Sequence, residues 1–297
     1  MARCFVTRAL PGTALDRLRA EHEVEVWPGD LPPSRDELLE HARDVEGLLS
    51  LLTDVIDGDV IAACPRLRVI SNYAVGSDNI DSEAAAARGI EVCVTPDVLT
   101  ETTADLAFAL LLAAARRLPE GERAVRAGEW RTWEPAGWLG QDVHGATLCV
   151  VGMGRIGSAM ASRAEAFGMR VIGVGRADPL HDALAQADFV SIHCPLTDET
   201  RGLFGDAEFA AMKPTAVLVN TARGPIVDTE ALRLALADGA IGAAALDVTD
   251  PEPLPAGHPL LEAPNVLVVP HIGSATHRTR ERMADMAVDN LLAALAP

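Results

Sequence analysis

Residues 147–157 read Thr147-Leu148-Cys149-Val150-Val151-Gly152-Met153-Gly154-Arg155-Ile156-Gly157. An apolar run stops at Gly152, a glycine-rich turn follows, and an alanine-rich amphipathic segment starts at once. This is G-x-G-x-x-G at a strand-to-helix junction. Gly152 permits the tight turn, Gly154 lets a pyrophosphate approach the backbone, and Gly157 lets the helix pack close to the strand. The helix N-terminus then offers free N–H groups to phosphate oxygens. The bland alternative is a glycine turn with no ligand, but the flanks here have the required strand and helix patterns.

Upstream, strand and helix patterns alternate. Strands are expected at Arg3 to Arg8, Glu23 to Trp27, Val45 to Leu52 and Leu67 to Ser71. Helices are expected at Pro11 to Glu21, from Ser34 or Asp36 through His41, and at Asp57 to Ala63. The order β-α-β-α-β-α-β predicts a parallel sheet flanked by helices. A polar loop, Asn72 to Asp81, follows the fourth strand, and its backbone amides suit an anion; an ordinary βα loop reads the same way. Asp81 to Arg88 predicts a short helix and Glu91 to Val94 a strand. Thr102 to Arg117 is the longest uninterrupted helical pattern. Trp130, Trp133 and Trp138 then cluster among Gly and Pro, as an interface, a substrate mouth or a simple loop anchor would. Downstream of the glycine turn, strands are expected at Met169 to Val174, Phe189 to His193, Ala216 to Asn220, Gly242 to Asp247 and Val266 to Val269. Helices are expected at Thr200 to Phe204, Ala207 to Ala211, Glu230 to Asp238 and Thr276 to Leu295. The whole predicts an α/β protein with two Rossmann-like parallel-sheet domains.

The 297 residues carry a formal charge of -18, which disfavours nucleic acid or an anionic membrane as partner. A small anionic substrate is not disfavoured, because one local arginine can dominate its pocket. The five cysteines are far apart and form no C-x-x-C. They read as reduced thiols of a cytoplasmic protein without a metal site. The longest apolar stretch, Ala107 to Ala115, is too short to span a bilayer.

Arg223, Glu252 and His271 each follow a predicted strand. In an open parallel sheet those strand ends share one edge. The three side-chain types suit reduction of a 2-keto acid. Arginine pairs with the carboxylate and polarises the carbonyl. A protonated histidine gives its proton to the carbonyl oxygen as hydride reaches carbon, and a carboxylate holds the imidazole and stabilises its cation. Singly, each has a plainer explanation: a surface ion-pair arginine, an exposed loop glutamate, a strand-end histidine. After the strand ending at Val174, Gly175 and Arg176 stand where an NAD binder usually carries an acid for the ribose 2′-hydroxyl, with Asp178 two residues on. Arginine there favours a 2′-phosphate, hence NADP over NAD.

At this point the chain resembles the D-isomer-specific 2-hydroxyacid dehydrogenase family. The resemblance rests on Gly152 to Gly157, His193-Cys194-Pro195-Leu196-Thr197, Asn220-Thr221-Ala222-Arg223-Gly224, Ala245 to Leu254 and Pro270-His271-Ile272-Gly273-Ser274-Ala275. Pro96 to Thr100, Thr103-Ala104-Asp105, Ala127 to Trp130 and Trp133 resemble its glyoxylate/hydroxypyruvate reductase branch. The resemblance implies a discontinuous flavodoxin-like substrate domain, residues 1–98 plus 274–297, and a dinucleotide-binding domain, residues 99–273, with the active site between them. It assigns Arg223 to the substrate carboxylate, Glu252 to orienting the histidine and His271 to acid/base catalysis. Val75, Gly76 and Trp133 join the substrate contacts, Trp133 from a partner subunit of a homodimer. Thr103, Arg155, Ile156, Cys194, Pro195, Thr200, Thr221, Ala222, Asp247, His271 and Gly273 join the glycines and Arg176 around the cofactor.

One departure is visible. Between Arg176 and Leu184 the family normally has a helix and a further strand, and here only residues 177–183 remain. That connector borders the adenosine end of the cofactor, so the choice between NADP and NAD stays open. The expected activity is NAD(P)H-dependent reduction of glyoxylate or hydroxypyruvate, giving the D isomer where the product is chiral. Another 2-keto acid, phosphoglycerate or phosphite, and a dinucleotide-sensing corepressor, remain as alternatives.

Overall fold

A computed structural model describes residues 1–296. The chain divides into two compact units, Met1–Leu99 with Ser274–Pro297, and Thr100–Gly273.

The first unit alternates β1 (Arg3–Val6), α1 (Ala14–Glu21), β2 (Glu23–Val26), α2 (Arg35–Ala42), β3 (Gly47–Ser50), α3 (Gly58–Ala63), β4 (Val69–Asn72), α4 (Ser82–Ala87) and β5 (Glu91–Cys93). All its pairings are parallel, in the order β2-β1-β3-β4-β5. Of the three interior strands, β3 and β4 are buried along their whole length, as expected where helices cover both faces of a parallel sheet. Short helices start on side-chain caps. Ser34 and Glu37 form a reciprocal capping box on α2, Asp57 caps α3 and Asp81 caps α4. The first helix begins at Ala14, three residues later than the sequence pattern suggests, because Gly12 stands at φ +78° and breaks the helical path.

The second unit opens with α5 (Thr100–Ala115) and α6 (Leu118–Arg126). It continues through β6 (Thr147–Val151), α7 (Arg155–Ala166), β7 (Arg170–Val174), α8 (Leu180–Gln186), β8 (Phe189–Ile192), α9 (Asp206–Ala211), β9 (Val217–Asn220), α10 (Thr229–Ala237), β10 (Ala243–Leu246) and β11 (Val266–Val268). Its six strands are parallel in the order β11-β10-β9-β8-β6-β7. Successive residues alternate cleanly between two cores. Leu148, Val150, Phe189, Val217, Val219 and Ala245 face Ala107, Leu111 and Met160 of α5 and α7. Cys149, Val190, Leu218 and Leu246 face Leu184, Phe209 and Leu232 of α8 to α10. This is the period-two alternation of a strand buried on both sides. Burial raises the Cys149 thiol to about 12, so this cysteine is packing material rather than a nucleophile.

Two elements differ from the sequence expectation. The helix α6 has no counterpart in it, since Pro119 and Gly121 lie within its nine residues; Pro119 sits in its first turn, where the missing N–H costs nothing. The stretch from Thr200 to Phe204 is turn rather than helix. Gly202 takes φ +65° and Phe204 bridges to Val227. Beyond β7, no strand extends the sheet among the described residues, so β7 is its edge. The short connector after Arg176 runs straight into the seven-residue α8.

The last helix, α11 (His277–Leu295), returns to the first unit. Thr276 caps it, and Met283, Ala287 and Leu291 are buried. Ser71 donates to the carbonyl of Ala287 at 2.9 Å and Tyr73 to that of Arg280 at 2.6 Å. Among the described residues no helix is long and apolar enough to cross a membrane.

Close backbone contact joins two loops of the second unit. A Cβ on Gly224 would overlap the carbonyl of Thr249, so the segment after β9 lies directly on the segment after β10. Gly224→Ala is expected to force these loops apart and to cost about 1–3 kcal/mol, the usual range for overpacking. Thermal unfolding should show a lower midpoint than the wild type; an unchanged midpoint would contradict the contact.

Candidate active site

The glycine turn is built as its spacing requires. Gly152 has φ +98°, and a Cβ there would meet the backbone of His193 and Cys194 at 2.5–2.7 Å. Its amide donates to Val174 at 2.8 Å, tying the end of β6 to that of β7. A Cβ on Gly157 would overlap the carbonyl of Gly152, whereas one on Gly154 would meet nothing within 4 Å. Gly154 is the N-cap of α7 and contributes no side-chain cap. Arg155 and Ile156 begin the helix. Gly152 and Gly157 are thus required by backbone geometry and packing, and Gly154 leaves an open approach to a helix N-terminus.

Around the same edge, Thr221 follows β9. Its hydroxyl is buried and has no hydrogen-bond partner among the described residues. A buried hydroxyl left unpaired points to a polar group supplied from outside the chain. Together with the open face of Gly154, it fits a dinucleotide. Thr200, by contrast, spends its hydroxyl on the chain itself. It donates to the carbonyl of Pro195 at 2.7 Å and accepts from the amide of Thr197 at 2.8 Å, shaping the turn after Cys194.

At the end of β7 the arginine and the nearby acid have separate environments. Asp178 accepts from the amide of Gly175 at 2.7 Å, so its carboxylate is turned back on its own loop. Arg176 is 83% exposed and lies 4.0 Å from Glu199, itself 69% exposed. An ion pair this open holds the arginine only weakly.

The three strand-end side chains follow three adjacent strands, β9, β10 and β11. Arg223 follows β9, and its carbonyl accepts from Asn220 Nδ2 at 2.9 Å while Asn220 Oδ1 accepts from the Ala222 amide at 3.0 Å. Glu252 follows β10. One of its oxygens accepts from the Thr249 amide at 3.3 Å; the other lies 2.5 Å from His271 Nδ1. The Glu252 and His271 side chains are about a third and a quarter exposed. Burial works to raise the Glu252 carboxyl. The hydrogen bond to His271, the charge of that ring, the Thr249 amide and Arg223 outweigh burial, and hold it below its ordinary value of 4.5. With Nδ1 committed to the carboxylate, Nε2 is the nitrogen left for proton exchange.

His271 sits in the left-handed region, at φ +51°, where a residue other than glycine is uncommon. Asp247 accounts for it. This 2%-exposed residue accepts from the amides of Ile272 at 2.6 Å and Gly273 at 2.8 Å, and its carbonyl accepts from the His271 amide at 3.0 Å. Burial dominates its titration and pushes the carboxyl up, against those amides and the His271 charge. Gly273 is required here as well: a Cβ would stand 3.0 Å from Asp247 and 3.3 Å from Thr103. Thr103, Asp247 and Gly273 therefore meet behind the histidine. Val75 and Gly76 belong to the first unit, after β4. Trp133 lies in the segment after α6 and is 78% exposed, with Trp130 and Trp138 exposed beside it in sequence. The bracing amide of Asn220 and the backbone role of Asp247 lie outside the sequence expectation. Their signal in the sequence is only an Asn or Asp at a strand end.

Residues 108–273 match the model of the D-isomer specific 2-hydroxyacid dehydrogenase NAD binding domain. The glyoxylate reductase of Korarchaeum cryptofilum is 49% identical over 305 residues, covering 98% of this chain and 92% of that one. The chain belongs to the D-isomer-specific 2-hydroxyacid dehydrogenase family. Among solved structures, the TT0316 protein of Thermus thermophilus superposes with a TM-score of 0.94 at 53% identity, covering 99% and 96% of the two chains. The NADPH-dependent glyoxylate/hydroxypyruvate reductase of Sinorhizobium meliloti, in complex with NADP and malonate, gives 0.87 at 34%, covering 99% and 94%. The dehydrogenase family thereby accounts for two parallel α/β units, one of them a dinucleotide-binding Rossmann unit.

A carboxylate whose value is depressed in the folded state contributes stability that is present above its unfolded value and lost as pH falls through its folded one. For Glu252 that window lies at and below about pH 4.5. Acid titrations of stability should therefore show a smaller loss below this pH for Glu252→Gln than for the wild type. Coincident curves would show that the carboxylate gains nothing from His271.

Proposed function

We propose that the protein reduces a small 2-keto acid, glyoxylate or hydroxypyruvate, to the D-2-hydroxy acid where the product is chiral. NADPH is the proposed preferred donor and NADH the second. The observation that carries this is the 2.5 Å His271–Glu252 pair beside the Arg223 loop, at the edge that also bears the glycine turn. Relatives called glyoxylate reductases, and the NADPH dependence of the Sinorhizobium meliloti enzyme, support the same choice.

Gly152 to Gly157, with Arg155, Ile156, Cys194, Pro195, Thr200, Thr221 and Ala222, are proposed to hold the dinucleotide, and Thr103, Asp247 and Gly273 to border its nicotinamide. Bound there, the reduced nicotinamide supplies a hydride to the carbonyl carbon. Arg223 holds the substrate carboxylate in a charge-assisted pair, and its charge draws electron density onto the carbonyl oxygen. The amides of Val75 and Gly76 are proposed as further donors to that carboxylate. Nε2 of His271 delivers the proton to the carbonyl oxygen as negative charge grows there. Glu252, ionised, fixes the ring and stabilises its cation until the transfer. Solvent then reprotonates the imidazole. In the oxidation direction the neutral ring takes the proton from the hydroxyl.

Arg176 supports NADPH, since Asp178 is engaged with Gly175 and the exposed guanidinium is open to a 2′-phosphate. The exposed Leu118, Val125, Trp130, Trp133, Trp138 and Leu139 make an apolar stretch suited to a second copy of the chain, and a homodimer is proposed. Five unpaired cysteines suit a reducing cytoplasm.

A panel of 2-keto acids with both cofactors tests the activity; no oxidation of either cofactor with glyoxylate or hydroxypyruvate would refute it. His271→Ala should lower kcat by roughly 10²–10⁴-fold while leaving NADPH affinity nearly intact. Equal losses in both would remove its acid role. Arg176→Ala should weaken NADPH by about tenfold, the scale of one charged contact, and leave NADH unchanged. An unaltered preference would rule out the phosphate contact.

A further inference from the structure

The first unit carries a chain of buried polar groups that the chemistry above does not use. It crosses the C-terminal ends of β1, β3 and β4. Thr7 donates its hydroxyl to Asp54 Oδ2 at 2.5 Å, and the same oxygen accepts the Leu51 amide at 2.7 Å. Asn79 Nδ2 donates to the carbonyls of Leu51 at 3.0 Å and Asp54 at 2.9 Å. Asn79 Oδ1 accepts from Asn72 Nδ2 at 2.9 Å, and that nitrogen also donates to the Gly76 carbonyl at 2.9 Å. Asn72 Oδ1 accepts the Ser50 hydroxyl at 3.1 Å. Ser50 and Asn72 are fully buried, Thr7 and Asp54 nearly so. In these surroundings a broken link leaves its partner unsatisfied.

Two anchors set which way the peptides of this turn face, the Thr95 amide before Val75 and the polar network after Gly76. In a trans peptide C=O and N–H point in opposite directions. The Ala74 carbonyl accepts from the Thr95 amide at 2.7 Å, so the Val75 N–H is turned away from the body of the unit. The Gly76 carbonyl is drawn in by Asn72, so the Ser77 N–H is turned away too. Packing alone would keep the loop near β4 but would not select this orientation.

We propose that Asn72 and Asn79, anchored through Asp54, are positioning residues that, by fixing the Gly76 carbonyl opposite the anchor at Thr95, hold the 75–77 turn with its amides aimed at the substrate carboxylate. This rests on the assignment of that turn to the carboxylate. Asn79→Asp is nearly isosteric and keeps the acceptor for Asn72, but loses both donated bonds. Asn72→Asp loses the bond to Gly76, and Asn79→Ser serves if the aspartate variant does not fold. Val75→Pro removes one of the presented amides without touching the network.

Steady-state kinetics with glyoxylate at saturating NADPH, and hydrogen exchange across residues 73–79, make the test. Each asparagine variant should speed exchange in the turn. It should raise the KM for glyoxylate roughly tenfold, leave kcat within about threefold and leave the KM for NADPH unchanged. A merely structural role would lower the fraction of active enzyme, hence kcat, without moving KM. Unchanged exchange, or a fall in kcat at constant KM, overturns the proposal. If Val75→Pro raises KM and the asparagine variants do not, the network alone is refuted. If Val75→Pro leaves KM unmoved, the turn does not hold the carboxylate and the proposal falls with that assignment.

Discussion

The buried carboxylate of Asp247 holds the amides of Ile272 and Gly273 and, through its backbone carbonyl, the amide of His271. That triple hold keeps the histidine at φ +51°, a conformation the chain would not keep on local preference. The histidine's place follows from it, and with it the approach of Nδ1 to Glu252. A small, buried, fully hydrogen-bonded acid thus sets the geometry of a pair that is itself partly open to solvent. The acid holds the backbone on which the imidazole stands, and the charge of that ring in turn acts on the acid.

The same edge shows how a parallel sheet gathers chemistry. Three neighbouring strands end in Asn220, Leu246 and Val268, and the loops that follow carry Arg223, Glu252 and His271. Gly224 lets the first loop lie against the second, while Asn220 braces the first from below. The glycine turn ends β6 on the same side. Its strand neighbours β7 and β8 supply the backbone that Gly152 touches. The glycine turn and the Arg223, Glu252 and His271 loops are therefore brought together by strand order rather than by closeness in sequence.

Much of this was legible from residue types and spacing. The glycine turn, the parallel α/β alternation and the three strand-end side chains each have a local signature, and the structure places His271 beside Glu252 as those signatures require. What was not legible is the bracing. Asn72, Asn79 and Asn220 act through hydrogen bonds to loops, and for Asn79 the two carbonyls that accept from it, Leu51 and Asp54, lie more than twenty residues away, a relation no periodicity encodes. The helix α6 hid behind Pro119 and Gly121, which read as breakers until Pro119 is seen in the first turn. The bend at Gly202 replaced an expected helix because Thr200 bonds back to Pro195. The short connector after Arg176 was visible as a deficit of residues, and among the described residues β7 is the edge of its sheet.

In the proposed function, one sheet edge delivers reducing equivalents and a proton to a 2-keto acid. Isotope transfer tests it most directly. With NADPH carrying deuterium at the transferred position of C4, glyoxylate should yield glycolate labelled at C2 in the wild-type protein. His271→Ala, still binding the nucleotide, should yield almost none in the same time. Unlabelled glycolate from the wild type, or equal labelling by the variant, would contradict the account.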